Sequence, residues 1–177
     1  MEAARGILDT ALGPLFVGAS EAGLHRVDFV REGHDEAWLA AALELDSARA
    51  QSGSSAGTAC ATLAEALRQL DAYFSGRSLE LALPLAPRGT AFQKGVWSAL
   101  GAIAPGDTRS YAQIAAAVSR PAAMRAVGQA VARNPLAVVV PCHRVVGADG
   151  SLTGYAGGME RKRWLLAREA GAGGPLR

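Results

Sequence analysis

Cysteine and histidine are both scarce in this chain, and their shortage closes off two classes of protein. Only two cysteines occur, Cys60 and Cys142. A single bridge stays open, but a disulfide framework does not, and reduced thiols in a cytosolic setting are expected. Two cysteines and three histidines, widely scattered, give no metal-ligand spacing, so a zinc site is not expected. No apolar run approaches the roughly eighteen residues of a membrane span. The opening MEAARGILDT has an acidic residue at once and no apolar core, so a secretory leader is not expected.

Acidic residues are also scarce, but only in one half. Residues 1–87 carry six Lys/Arg against twelve Asp/Glu, a balance of −6, whereas residues 88–177 carry twelve against four, a balance of +8. Those halves sum to the net charge of +2. Such a split points to a polyanionic partner for the second half. Sixteen of the eighteen cations are arginine, the side chain suited to bidentate phosphate contacts.

The 177 residues are half hydrophobic and one fifth charged, a soluble globular composition long enough for one ordinary domain or two small ones. GPLFVGASEAGLHRVDFV reads as a β-hairpin with Leu15, Val17, Val27 and Phe29 facing inward. EAWLAAALEL reads as a helix, and QSGSSAGT as a loop. Leu63, Leu67, Leu70 and Phe74 recur at helical spacing in a segment expected to end near Gly76. LELALPLAPRG then breaks at prolines and a glycine, which sets the expected domain boundary, 1–88 and 89–177.

The second half is helical in pattern. Phe92, Val96, Leu100 and Ile103 form an apolar stripe, and Ser110 suits the N-cap of a helix over YAQIAAAV. Pro121 suits the first turn of the next helix, AAMRAVGQAVAR, giving a helix-turn-helix pattern that carries Arg125 and Arg133. AVVVP reads as a short buried strand, GADGSLTGYAGG as a Gly-rich loop and MERKRWLLARE as a last amphipathic helix. Cys142 and His143 follow the apolar run. An imidazole able to take the thiol proton would activate such a cysteine, and Glu169 is a distant carboxylate that could hold the ring. Taken alone, a cysteine after an apolar run is more often inert core.

PCHRVV, with NP eight residues before its cysteine and GYAGG after it, resembles the O6-alkylguanine-DNA alkyltransferase family. FQKGVWSALGAI, GDTRSYAQIA, RAVGQA and K-x-x-LL-x-x-E extend the resemblance over most of residues 90–169 in the family order. LGPLFVGASEAGL and LDAYFSGR add a looser likeness in the first half. The resemblance implies a ribonuclease-H-like α/β N-terminal domain followed by a mainly α winged helix-turn-helix domain. It also implies irreversible, single-turnover repair of O6-alkylguanine in DNA, with O4-alkylthymine as a further substrate. Cys142 would be the alkyl acceptor, His143 would take its proton through water, and Glu169 would orient His143. Asn134 would brace the active-site turn. Tyr111 would press on the phosphate backbone and donate to the guanine. Arg125, with Ala126 and Arg133 on the same helix, would meet DNA, and Arg125 would fill the gap left by the extruded nucleotide. The carbonyls of Cys142 and Val145 would read the guanine amine. Tyr155, Ala156, Gly157 and Gly158 would line the pocket. Ala156 stands where some members have Ser, and the zinc ligands of some relatives' N-terminal domain are not matched.

No Gly-rich nucleotide-binding loop is present, so no cofactor is implied and the alkyl group comes from the DNA. The implied partner is double-stranded DNA carrying O6-alkylguanine, with no membrane, for a protein monomeric in solution and cytoplasmic, or nucleoid-associated in a bacterium. Two alternatives use the same residues: a noncatalytic sensor of alkylated bases, whose relatives lack the acceptor cysteine, and a cysteine hydrolase built on Cys142, His143 and Glu169.

Overall fold

A computed structural model describes residues 3–30 and 56–171. The chain divides into two compact units, residues 1–87 and 88–177.

The first unit is built on an antiparallel meander of β1 (Ala3–Leu8), β2 (Leu15–Ser20) and β3 (Gly23–Phe29). The β2–β3 hairpin is the expected one, with Leu15 opposite Phe29 and Val17 opposite Val27. All four of these side chains are buried. β1 is an element the residue pattern did not announce, and it pairs along the whole of β2. The segment after the helix returns to the sheet, where the Leu24 amide donates to Pro84 O at 2.7 Å and the Ala86 amide to Leu24 O at 2.7 Å. This approach requires Gly23: its φ is +127°, and a Cβ there would stand 2.4 Å from the Pro84 carbonyl oxygen.

Helix α1 (Ala56–Ser75) covers the sheet. Its fully buried residues are Ala59, Ala66, Leu70 and Tyr73. Of the expected stripe, Leu63, Leu67 and Phe74 are only half-buried, the two leucines lying against Gly6 of β1. Tyr73 is the buried aromatic, packed edge-on to Phe74 with centroids 5.4 Å apart. Gly76, at φ +79°, ends the helix as expected; the Arg77 amide reaches Ala72 O at 2.9 Å and the Gly76 amide reaches Tyr73 O at 3.2 Å. The helix expected over EAWLAAALEL, and most of the QSGSSAGT loop, lie outside the described residues.

The second unit opens with α2 (Ala91–Gly101), held at its start by a capping box between Thr90 and Gln93. Val96, Leu100 and Ile103 are buried as expected, but Phe92 is half-buried and Trp97 takes its place in the core. The Trp97 indole donates to Ala130 O at 2.9 Å, tying α2 to α4. A second capping box, Ser110 with Gln113, starts α3 (Tyr111–Ala117). After a turn comes α4 (Met124–Ala132), which begins three residues beyond Pro121 and has no side-chain cap. Together α3 and α4 form the helix-turn-helix. The last helix, α5, runs Met159–Glu169.

AVVVP is not a strand. Its residues form consecutive turns, with the amides of Val139 and Val140 donating to Ala137 O and Leu136 O, each at 2.8 Å. Asn134 is the cause. Its Oδ1 accepts from the Leu136 amide at 3.0 Å, and its Nδ2 donates to Val140 O at 2.8 Å, so a side chain takes the backbone partners a ladder would have used. Val138 is held at φ +70°, a conformation that costs a β-branched residue on the order of 1–3 kcal/mol. Burial holds for Ala137, Val138, Val140 and Pro141, while Val139 is half-buried. The strand lies instead after the cysteine. β5 (Val145–Val146) pairs in parallel with β4 (Arg109–Ser110). That pairing sets the residue after β4, Tyr111, beside the segment that follows Cys142.

Candidate active site

Cys142, His143 and Arg144 make a single 3-10 turn between Pro141 and β5. Cys142 is 7% exposed, His143 fully buried. The Cys142 amide donates to Val140 O at 2.8 Å. Asn134 Nδ2 lies 3.1 Å from the Cys142 sulfur and also donates to Val140 O. One amide side chain therefore shapes the turn that leads into the cysteine and contacts the sulfur itself.

His143 Nε2 is 2.8 Å from Glu169 Oε1. Arg144 grips the same carboxylate twice, Nε to Oε2 and Nη2 to Oε1, each at 2.8 Å, and its Nη1 donates to Ile103 O just beyond α2. Paired with a guanidinium in this fork, Glu169 is held ionised and can only accept. The hydrogen on the ring must then sit on Nε2, which leaves Nδ1 as the basic nitrogen. Nδ1 is buried and has no hydrogen-bond partner among the described residues, so no direct bond joins His143 to the sulfur. Burial pushes the His143 pKa below the ordinary 6.5, against the opposing pull of Glu169. The imidazole is neutral at neutral pH and able to take a proton through an intervening water.

The remaining expected residues fall around this centre or on the helix-turn-helix. Tyr111 begins α3, and its ring lies in ordinary contact distance of Gly128 of α4. Thr153 Oγ1 donates to the Tyr111 hydroxyl at 3.3 Å. Arg125, Ala126 and Arg133 are all exposed, on or at the end of α4. Val145 is fully buried. Tyr155 folds back over Gly157, where a Cβ would stand 2.6 Å from its ring, and Gly158, at φ +92°, turns the chain into α5. Ala156 is exposed between them.

Sequence reasoning left three participants without a role. Arg144 stood in the quoted PCHR. Lys162 stood as the first residue of K-x-x-LL-x-x-E. Thr153 carried no signal of its own. Lys162 is fully buried, and its Nζ donates to Val145 O at 2.5 Å and Thr153 O at 2.9 Å.

A helix-turn-helix unit that buries a cysteine beside a hydrogen-bonded histidine, glutamate and arginine is the arrangement of a DNA-binding domain that also carries a reactive-type thiol. Residues 91–171 match the DNA-binding domain of 6-O-methylguanine DNA methyltransferase, and residues 4–87 match the ribonuclease-like domain of the same enzyme. The chain belongs to the 6-O-methylguanine DNA methyltransferase family. It is 42% identical over 163 residues to the methylated-DNA–protein-cysteine methyltransferase of Methanosarcina barkeri, covering 92% of this chain and 94% of that one. It is 44% identical over 165 residues to the protein of that name from Mycobacterium leprae, covering 92% and 89%. The crystal structure of Mycobacterium tuberculosis OGT in complex with DNA superposes with a TM-score of 0.74 at 37% identity, covering 94% of this chain and 92% of that one. The α/β unit is thus a ribonuclease-like domain and the helical unit a DNA-binding domain.

Proposed function

We propose that this protein repairs O6-alkylguanine in DNA by moving the alkyl group irreversibly onto its own Cys142. The observation that carries the reading is the fixed tautomer of His143: Nε2 committed to Glu169, Nδ1 basic and unpartnered. His143 accepts the Cys142 proton through water. The thiolate attacks the alkyl carbon, a C–S bond forms as the C–O bond breaks, and the electron pair leaves with guanine. The leaving base needs a proton or a hydrogen bond, which lowers the barrier. Tyr111 is suited to give it, because its hydroxyl oxygen already accepts from Thr153 and its own hydrogen remains for an acceptor.

Cys142 is buried and the alkylated base is stacked and paired in the duplex, so the nucleotide must be extruded to bring its alkyl carbon to the sulfur, at a cost of a few kcal/mol. Arg125 would fill the vacated space, and Ala126 offers a small surface that lets backbone approach it. Arg133 and the +8 balance of residues 88–177 would hold phosphates without regard to sequence. Val145 O accepts from Lys162 and keeps a second lone pair for a base amine. Tyr155, Ala156, Gly157 and Gly158 form the pocket wall. The partner is double-stranded DNA, met by a monomer with its DNA-contacting domain beginning near residue 89. O4-alkylthymine is a second substrate, and the cytoplasm is the place of action. Among the described residues no helix is long and apolar enough to cross a membrane.

A thioether is not displaced by water, so each molecule acts once. Incubation with duplex DNA carrying radiolabelled O6-methylguanine should place at most one label per protein, on the peptide containing Cys142, and none on Cys142→Ala. Label left on the DNA would point to the sensor instead, and repeated turnover to a cysteine hydrolase.

A further inference from the structure

The loop that runs from β5 into α5 is not held by core packing. Every residue from Ser151 to Gly158 is exposed or half-buried, and three of the eight are glycine. A segment with so little buried apolar surface opens locally at small cost, so hydrogen bonds decide where it stands. At its near end, Thr153 is bound through its carbonyl to Lys162 and through its hydroxyl to Tyr111. Within the loop, the Gly158 amide donates to Tyr155 O at 2.9 Å, closing a turn over Ala156 and Gly157. The far end is held from α5. Arg161 Nη1 donates to Gly157 O at 3.0 Å, and the Lys162 amide donates to Gly158 O at 3.2 Å.

Arg161 sits in the first turn of α5 and is half-buried. Gly157 lies four residues earlier, where a side chain leaning toward the N-terminus of its helix can reach. The bond there controls more than one carbonyl. A Cβ on Gly157 would stand 2.6 Å from the Tyr155 ring, so the ring lies directly on this backbone. A guanidinium that fixes Gly157 therefore fixes the face of Tyr155 as well. These are residues of the pocket wall in the reading above. Cys142 is buried, so an alkyl group reaching its sulfur enters a space of limited size. An arginine on this basic unit would ordinarily serve a phosphate, but one N–H of Arg161 is committed to the loop.

We propose that Arg161 is the positioning residue that holds the Gly157 end of the pocket wall closed, and that it thereby limits the size of the alkyl group Cys142 accepts. The inference rests on the alkyl-transfer reading for its substrate, small O6-alkyl groups on guanine, but part of its test needs no DNA. Single-turnover transfer is measured from duplex DNA carrying O6-methylguanine and from the same duplex carrying O6-benzylguanine. In parallel, alkylation by iodoacetamide and by the bulkier N-benzyliodoacetamide is read at the Cys142 peptide, so that the exposed Cys60 does not enter. Arg161→Met keeps much of the stem and removes the donors. Its benzyl-to-methyl ratio should rise about tenfold, the scale of one hydrogen bond. The ratio between the bulky and the small reagent should rise with it. Arg161→Lys keeps a donor near Gly157 O and should fall between the two proteins. If Arg161→Met does not fold, Arg161→Ala carries the same comparison. Unchanged ratios in a folded neutral variant overturn the proposal. So does an equal slowing on both duplexes with the reagent ratio unmoved, which would make Arg161 a phosphate contact. A raised reagent ratio in a protein that takes label from neither duplex upholds the closed wall and sinks the alkyl-transfer reading instead.

Discussion

The two units of this chain bury different chemistry. Among the described residues the first has a single buried polar side chain, Ser20, in a core of Leu15, Val17, Leu24, Val27, Leu70 and Tyr73. The second buries His143, Arg144, Lys162 and Glu169 together with its apolar residues. Burial of apolar surface adds about 25 cal/mol per Å² whatever the pH, whereas buried charges cost several kcal/mol each unless paired. The described core of the first unit is therefore almost wholly apolar. The second accepts that cost around the turn of Cys142, where the Glu169 carboxylate holds His143 in one tautomer.

The widest separation between the units should come from two substitutions of core residues. Glu169→Gln leaves Arg144 buried without its counter-charge and replaces one of the two acceptor oxygens shared by Arg144 and His143 with a donor. A loss of about 3–5 kcal/mol in the second unit is expected, and the molecules still folded should transfer alkyl groups far more slowly. Leu15→Ala in β2 should cost a comparable 2–5 kcal/mol through the cavity it leaves, with no change in rate per folded molecule. Chemical denaturation and single-turnover labelling on the same samples check both. Equal rate losses in the two variants would erase the distinction.

A smaller effect should separate the helix-turn-helix from the pocket. Arg125→Ala removes an exposed side chain of α4 and nothing in the core. Repair of duplex DNA should fall roughly ten- to a hundredfold, in keeping with the few kcal/mol that extrusion demands, while reaction with free O6-benzylguanine stays nearly unchanged. Parallel losses would show that Arg125 serves the pocket, not the duplex.

What could be read from the residues was what is local. Ser110 announces α3 because its partner Gln113 is three residues away, and the β2–β3 hairpin follows from alternation around a short turn. The failures are non-local. β1 has little pattern of its own and exists by pairing with β2. Trp97 is in the core because Ala130 O, thirty-three residues on, accepts its N–H. AVVVP looked like a strand because nothing in its apolar run shows that the Asn134 amide will take its backbone partners. The site divides in the same way. Local chemistry favoured inert core for Cys142, and the family resemblance singled it out as the acceptor, together with His143 and Glu169. Lys162 escaped because a lysine on an amphipathic helix reads as surface, and the carbonyls that draw it inward come from β5 and the loop.

The subtlest test of the contrast is acid. In the folded second unit the His143 pKa lies below the ordinary 6.5, mainly through burial. An unfolded chain therefore binds a proton at this ring before the folded one does. Where the unfolded state holds more protons, stability rises with pH. The contribution of neutral His143 is fully present above about pH 6.5 and declines as the pH falls from there towards the folded value. Thermal melts between pH 8 and pH 5 should show the second unit losing stability in that window. His143→Gln, which cannot titrate, should flatten the curve there at the cost of alkyl transfer, while the Leu15→Ala protein should keep the slope of the unsubstituted chain. If His143→Gln leaves the slope untouched, the acid sensitivity belongs to another group and the buried imidazole is not what sets the two units apart.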